Sequence, residues 1–259
     1  MKIIILIENT TKDPRLTAEH GLSLYIETKR HRILFDTGQS GVFADNAKAL
    51  GVDLKNIDFA VLSHGHYDHG GGIARFLTEN KTAPIYMNEH AFGEYYNGVE
   101  KYIGLDPMLA TRQDRLVLTG DALKIADGVQ LFTCNDRAPA HKVDSAGLLK
   151  RAGEQLIADD FLHEQYLLLE EEGRKVLISG CSHKGVLNVM DWVKPDVLVG
   201  GFHFSKIEPE WLAYAAEALK QYPCTYYTCH CTGIPQFQYL QGKIGGQLRY
   251  LGTGDVVEV

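Results

Sequence analysis

The segment Ser63-His64-Gly65-His66-Tyr67-Asp68-His69 sets three imidazoles and one carboxylate within six residues, directly after the apolar stretch Ile57-Asp58-Phe59-Ala60-Val61-Leu62. Neutral imidazole and carboxylate are side chains that Zn²⁺, Fe²⁺ and Mn²⁺ accept as ligands. If the segment is extended, His64, His66 and Asp68 point to one side and His69 to the other. One stretch of chain then presents His64 and His66 to one metal, and Asp68 with His69 to a second nearby. Gly65 and Gly70-Gly71-Gly72 let the backbone turn tightly and come close to an ion. A chance cluster of surface or core histidines is the plainer alternative. Against it, apolar and glycine-rich sequence surrounds these residues rather than a polar tract.

The length of 259 residues suits one large domain, expected over 1–259, with a less regular excursion around 90–160. The chain is 45% hydrophobic and 23% charged, which is ordinary globular composition. A formal charge of −7 argues against a nucleic-acid partner, which would call for a basic face. A small anionic substrate remains compatible, since a few lysines or arginines and a metal pair suffice to bind one. No run of about 18 apolar residues suggests a membrane span. Met1 to Ile7 is apolar but is followed by Glu8-Asn9-Thr10, so a buried first strand is expected rather than a secretory leader. Five cysteines, at 134, 181, 224, 229 and 231, are an odd number without disulfide-framework spacing, and a reducing cytoplasm fits them best.

Hydrophobic patterning predicts strands at Ile3 to Ile7, Leu22 to Glu27, His31 to Phe35, Phe59 to Leu62 and Pro84 to Met87. Helices are predicted over Gly41 to Leu50, capped by Gly51, and over Gly72 to Asn80. This order suggests a mixed sheet with helices on its outer face. His90 to Thr119 has no clean period and is expected to form short helices and loops. Asp127 to Phe132 is expected as a turn and strand, and Cys134 to Asp160 as a long excursion over a cleft or a surface insertion. Strands are predicted again at Gln165 to Glu170, Lys175 to Ser179, Asp196 to Val199 and Cys224 to Thr228. Helices are predicted at Val186 to Val193 and Glu208 to Gln221, and short strands close the chain after Gly246.

Four of these strands end in a histidine flanked by small residues: the His64–His69 segment, Gly180-Cys181-Ser182-His183, Gly200-Gly201-Phe202-His203 and Cys229-His230-Cys231-Thr232-Gly233. Strand ends on one edge of a sheet converge, so ligands far apart in sequence can share a metal pair. Such a pair polarises a substrate oxygen and acidifies a bound water towards neutrality.

On the motif His64-x-His66-x-Asp68-His69 and these later strand ends, the chain resembles the metallo-β-lactamase superfamily over essentially its whole length. The phrases Glu19-His20-Gly21-Leu22-Ser23, Leu34-Phe35-Asp36-Thr37-Gly38, Gly180-Cys181-Ser182-His183 and His230-Cys231-Thr232-Gly233 resemble a narrower branch of metal-dependent hydrolases. That branch includes the archaeal dihydropterin–ribofuranosylaminobenzene 5′-phosphate synthases, which join a pterin diphosphate to a phosphorylated aryl riboside. The resemblance implies an α/β chain folded as an αββα sandwich of two mixed β-sheets, with helices on the outer faces and a dinuclear site on one edge. It implies two divalent ions, zinc first, with manganese or iron as alternatives. His64, His66 and His183 would hold one ion, and Asp68, His69 and His230 the other, with Asp68 also positioning the reactive water.

The bridging aspartate of many superfamily members is missing from its expected place. Cys181 stands where a bridging ligand would, with small-residue packing as the alternative. His20, Asp36 and His203 are read as orienting a ligand or contacting substrate. His163 precedes a strand as an upstream histidine ligand would, but ranks below His183 because Asp159, Asp160 and Glu164 around it suggest a solvated turn; His31, His90 and His141 are read as exposed. A structural zinc on Cys229-x-Cys231 lacks a second cysteine pair.

Three functions follow. The first is hydrolysis of an ester or phosphoester-type small molecule by activated water. The second is the synthase reaction, for which Arg112, Arg115, Arg137 and Lys184 are the candidate phosphate ligands. The third is a non-catalytic metal-binding or sensing role, which fold alone leaves open.

Overall fold

The strand Lys2–Ile7 buries both of its faces, as its near-continuous apolar sequence requires. Ile3 and Ile5 point into one core while Ile4 and Leu6 point into another. A computed structural model describes residues 1–112 and 114–259, and the double burial of this strand states its layering in miniature. One seven-stranded sheet runs in the order Val256–Glu258, Lys2–Ile7, Ser23–Glu27, Arg32–Phe35, Phe59–Val61, Ile85–Asn88 and Leu116–Thr119. The other runs Leu248–Tyr250, Thr225–Thr228, Val197–Gly200, Arg174–Ile178, Tyr166–Glu171, Val129–Phe132 and Ala122–Ala126.

The two sheets face each other across a core in which Ile3, Ile5, Phe35 and Val61 meet Leu131, Leu167, Ile178 and Val199. Helices Val42–Ala49 and Ile73–Glu79 cover the outer face of the first sheet through Phe43, Ala47, Ile73 and Phe76. Helices Val186–Val193, Pro209–Leu219 and Ile234–Ile244 cover the second through Val189, Met190, Ala215, Leu219 and Leu240. The fold is the expected αββα sandwich.

Each sheet joins an antiparallel half to a parallel half, and the parallel halves set the site. Arg32–Phe35, Phe59–Val61 and Ile85–Asn88 run parallel, as do Arg174–Ile178, Val197–Gly200 and Thr225–Thr228. Their C-terminal ends therefore emerge on one edge. Residues Asp36, Ser182, His203 and His230, just beyond four of these ends, all have positive φ (58°, 56°, 54° and 50°) without being glycine. Such conformations cost about 1–2 kcal/mol each, and their clustering on one edge points to function there.

Several expectations require correction. The region 90–160 is more regular than its sequence suggests. Tyr95–Asn97, Lys101–Tyr102, Leu148–Ala152 and Gln155–Ala158 form a separate four-stranded sheet, sealed by Tyr95, Ile103, Leu148 and Phe161. Leu116–Thr119 and Ala122–Ala126 are edge strands whose exposed positions, including Leu118 at 57%, blur their pattern. The helix Ile234–Ile244 escaped prediction because only Leu240 and Ile244 are buried on it.

Candidate metal centre

The His64–His69 segment is not extended throughout. After the strand Phe59–Val61 the chain bends at His64 and Gly65, and an extended His66 then begins a single helical turn, Tyr67–Gly70. That turn overrides strand alternation: Asp68 and His69 both reach the interior edge, and Asp68 Oδ2 lies 3.8 Å from His69 Nε2. Burial drives the geometry, since His64 and His69 are 0% exposed and His66 4%.

Around this segment the strand ends deliver an unbroken run of donor atoms. His64, His66 and His183 form one trio whose ligand atoms lie within 4.8 Å of one another, and His64 Nε2 faces His183 Nε2 at 3.3 Å. His64 also belongs to a trio with His69 and Cys181, where Cys181 Sγ is 3.2 Å from His69 Nε2. Cys181 in turn belongs to a trio with His230 and Cys231. His230 closes the run with Asp68 and His20, whose Nε2 atoms stand 3.4 and 3.2 Å from Asp68 Oδ2.

The donors fit a divalent cation. His66 Nε2 is buried with no hydrogen-bond partner among the described residues, an arrangement that costs free energy unless something else satisfies it. Burial, with the repulsion of neighbouring imidazoles, holds His64 and His183 far below the usual histidine pKa and takes His66 down to about 3. Burial likewise lowers His230. Neutral imidazoles keep the lone pair that a metal needs. Asp68 stays ionised, because attraction from His69, His20 and His230 overcomes the burial that would raise its pKa. Burial pushes the Cys181 thiol up, so in the absence of a cation it holds its proton.

Polar groups behind the donors fix them. Asp36 accepts hydrogen bonds from Ser63 N–H and Ser63 Oγ–H, both at 2.7 Å, and pairs with His69 Nδ1 at 2.6 Å. Ser63 Oγ also touches His64 Nδ1 at 2.8 Å. This cluster needs Gly180, since a Cβ there would stand 2.2 Å from Ser63 Oγ. Two buried glutamates hold the opposite strand ends. Glu164 accepts the His183 N–H at 2.7 Å and the Lys184 N–H at 3.1 Å, while Glu8 accepts the His230 N–H at 2.7 Å. Asn9 Oδ1 accepts His230 Nδ1–H at 2.8 Å. Glu8, Asn9, Ser63 and Glu164 escaped sequence reasoning; their one signal is a polar residue at the end of, or next to, a buried strand.

His163 does not lie in a solvated turn. It is 1% exposed, its ring stacks on Tyr95 at 3.9 Å, and its nitrogens are taken by Gly65 N–H at 2.9 Å and Asp159 Oδ2 at 3.1 Å. Asp159, expected in the same turn, is 5% exposed. Nor are His31 and His141 fully exposed: His31 packs edge-on against Phe59, and His141 contacts Asp191 and Tyr214. His90 is exposed.

The donors open into a cleft of about 260 Å³, lined also by His203, Lys101 and Lys206. His203 stands beside His183, with ring centroids 4.4 Å apart, and burial with nearby His230 takes its pKa down to about 4. None of the expected phosphate ligands lines this cleft. Arg115 is buried against Ala83 and Asn80, Lys184 is buried against Thr133 O and Glu164 O, Arg137 reaches Trp192 O, and Arg112 pairs with Asp114. Lys101 and Lys206 line it instead, and neither forms an ion pair among the described residues.

Comparison with known proteins agrees with this architecture. The chain is 28% identical over 241 residues to an uncharacterized protein of Methanocaldococcus jannaschii, covering 90% of this chain and 91% of that protein. It is 26% identical over 270 residues to the 7,8-dihydropterin-6-methyl-4-(beta-D-ribofuranosyl)-aminobenzene-5'-phosphate synthase of the same organism, covering 93% and 90%. A solved metal-dependent hydrolase of the beta-lactamase superfamily superposes with a TM-score of 0.83 at 26% identity, covering 100% of this chain and 99% of that one. The sequence model of the metallo-beta-lactamase superfamily matches residues 16–210, and the chain belongs to that superfamily.

Proposed function

We propose that the protein is a metal-dependent hydrolase acting on an ester or phosphoester bond of a small anionic molecule. The observation that carries this reading is the chain of shared donors, in which His64, Cys181 and His230 each belong to two neighbouring trios. That run is long enough for two cations. His64, His66 and His183 would hold one, and Asp68, His69 and His230 the other, with Cys181 between them. Two bound divalent ions would supply a polarised substrate oxygen and a water acidified towards neutrality. The mixed nitrogen, oxygen and sulfur donors suit Zn²⁺ first, with Mn²⁺ and Fe²⁺ as alternatives.

The remaining cleft residues would bind and orient. Lys101 and Lys206 would meet the negative charge of the substrate. His203, neutral at physiological pH, would hydrogen-bond the substrate or take up a proton from it. His20, half-exposed beside Asp68 Oδ2, would hold that carboxylate oriented. An adjoining groove of about 590 Å³, walled by Phe204, Ile207 and Trp211 and sharing His183, His203 and Lys206 with the cleft, would receive the non-reacting part of the substrate.

The test is turnover of a panel of carboxylic esters, phosphomonoesters and phosphodiesters by metal-free protein reloaded with Zn²⁺, Mn²⁺ or Fe²⁺. The reading expects activity that chelation abolishes and metal restores, with Lys206→Ala raising KM for anionic substrates more than for neutral ones. Absence of metal-dependent turnover across the panel would reject it.

The near full-length similarity to the M. jannaschii synthase favours one second reading, in which the same cations assist departure of diphosphate and no water attacks. Diphosphate release that requires both a pterin diphosphate and a phosphorylated aryl riboside would favour it over hydrolysis.

A further inference from the structure

Cys231 has no part in the ligand set above, yet its sulfur faces the same centre. It lines the cleft, and its Sγ shares a trio with Cys181 Sγ and His230. The backbone is shaped around it: a Cβ on Gly201 would stand 2.3 Å from Cys231 Sγ, so only glycine at 201 leaves the sulfur its place. The His203 N–H donates to Cys231 Sγ at 3.3 Å, which fixes the sulfur's position at the cleft wall. Cys231 Sγ also lies 3.7 Å from the Cys181 carbonyl.

We propose that Cys231, together with Cys181 and His230, holds a cation, and so adds a second sulfur to the position proposed above for Asp68, His69 and His230. This rests on the metal-centre reading above and deepens it. Each thiol loses its proton to solvent as the sulfur–metal bond forms, and no oxidation state changes. Two thiolates make the position soft, so it selects Zn²⁺, Co²⁺ or Cd²⁺ over Mn²⁺ and Mg²⁺. A position built from carboxylate and imidazole alone would discriminate far less.

Cobalt substitution reads this directly, because Co²⁺ bound by thiolate shows sulfur-to-metal charge-transfer absorption in the near ultraviolet, apart from the visible bands that any bound Co²⁺ gives. Metal-free protein titrated with Co²⁺ is expected to show both. Cys231→Ser and Cys181→Ser should each retain about half of the charge-transfer intensity per bound ion, and the double variant none. Cys231→Ser should also narrow the preference for Cd²⁺ over Mn²⁺ by roughly tenfold or more. Cys231→Ala guards against a serine-specific effect, and circular dichroism checks folding of every variant. Visible bands without charge transfer, or charge transfer unchanged in both Cys231 variants, would overturn the proposal and leave the metal centre standing. Absence of any Co²⁺ binding would overturn both.

Discussion

Asp36 Oδ2 lies 2.6 Å from His69 Nδ1, with both side chains fully buried. The carboxylate holds a proton on Nδ1 and aims Nε2 at Cys181 and Asp68. Burial works against a charged imidazole here, but Asp36 and Asp68 outweigh it and take the His69 pKa up to about 9. Without a cation, His69 therefore carries both ring protons at neutral pH.

Metal loading must expel one of them. Calorimetric titration of metal-free protein in buffers of different ionisation enthalpy at pH 7.5 is expected to include release of about one proton from His69. Asp36→Asn should diminish that contribution. The sign for stability follows from the raised pKa: the folded metal-free protein holds a proton that the unfolded chain loses above its pKa of about 6.5. Its melting temperature should therefore fall as pH rises from about 6.5 through about 9. A flat or rising profile that Asp36→Asn leaves unaltered would contradict this account.

Gly180→Ala tests the packing behind His64. The new methyl would stand 2.2 Å from Ser63 Oγ and 3.1 Å from His64 Nδ1. Urea denaturation is expected to show a loss of about 1–3 kcal/mol, as for other overpacked sites. Competition with a chelator should show metal affinity lower by about 10–100-fold, as when groups supporting a ligand are disturbed.

Glu8→Ala removes the acceptor that holds the His230 N–H at 2.7 Å and the Tyr250 hydroxyl at 2.5 Å. Losing hydrogen bonds to a buried charged acceptor should cost about 2–4 kcal/mol in denaturant unfolding. Of the two proposed cation positions, the one at Asp68, His69 and His230 should lose its ion before the one at the His64 trio.

His141→Ala supplies the contrast. His141 pairs with Asp191 at 3.0 Å on the outer face, away from the donor run. A cost of no more than about 1 kcal/mol is expected for this partly exposed pair, with metal content unchanged. Metal loss in this variant would mean that the centre extends further than its geometry indicates.

What was legible in the sequence was local. The buried strands, the helices at 42–49, 73–79 and 186–193, and the histidines just beyond strand ends all follow from residue type and spacing within a few positions. Parallel pairing then brings His64, His183 and His230 to one edge. The illegible part depends on distant contacts. Glu8 meets His230 across 222 positions, and Cys231 meets Cys181 across 50. Arg115 looked like a phosphate ligand because its charge is visible in the sequence, while the carbonyl of Ala83 that holds it is not. His163 looked solvated because three acidic residues surround it, yet Asp159 turns inward to bond it.

Metal content of the purified protein tests the central claim most directly. Metal-free chains reloaded with Zn²⁺ and freed of excess ion should hold about two equivalents by elemental analysis. His64→Ala and His230→Ala should each hold about one, with folding checked by circular dichroism. One equivalent or none in the unaltered chain, or two in both variants, would contradict a two-metal centre built on these strand ends.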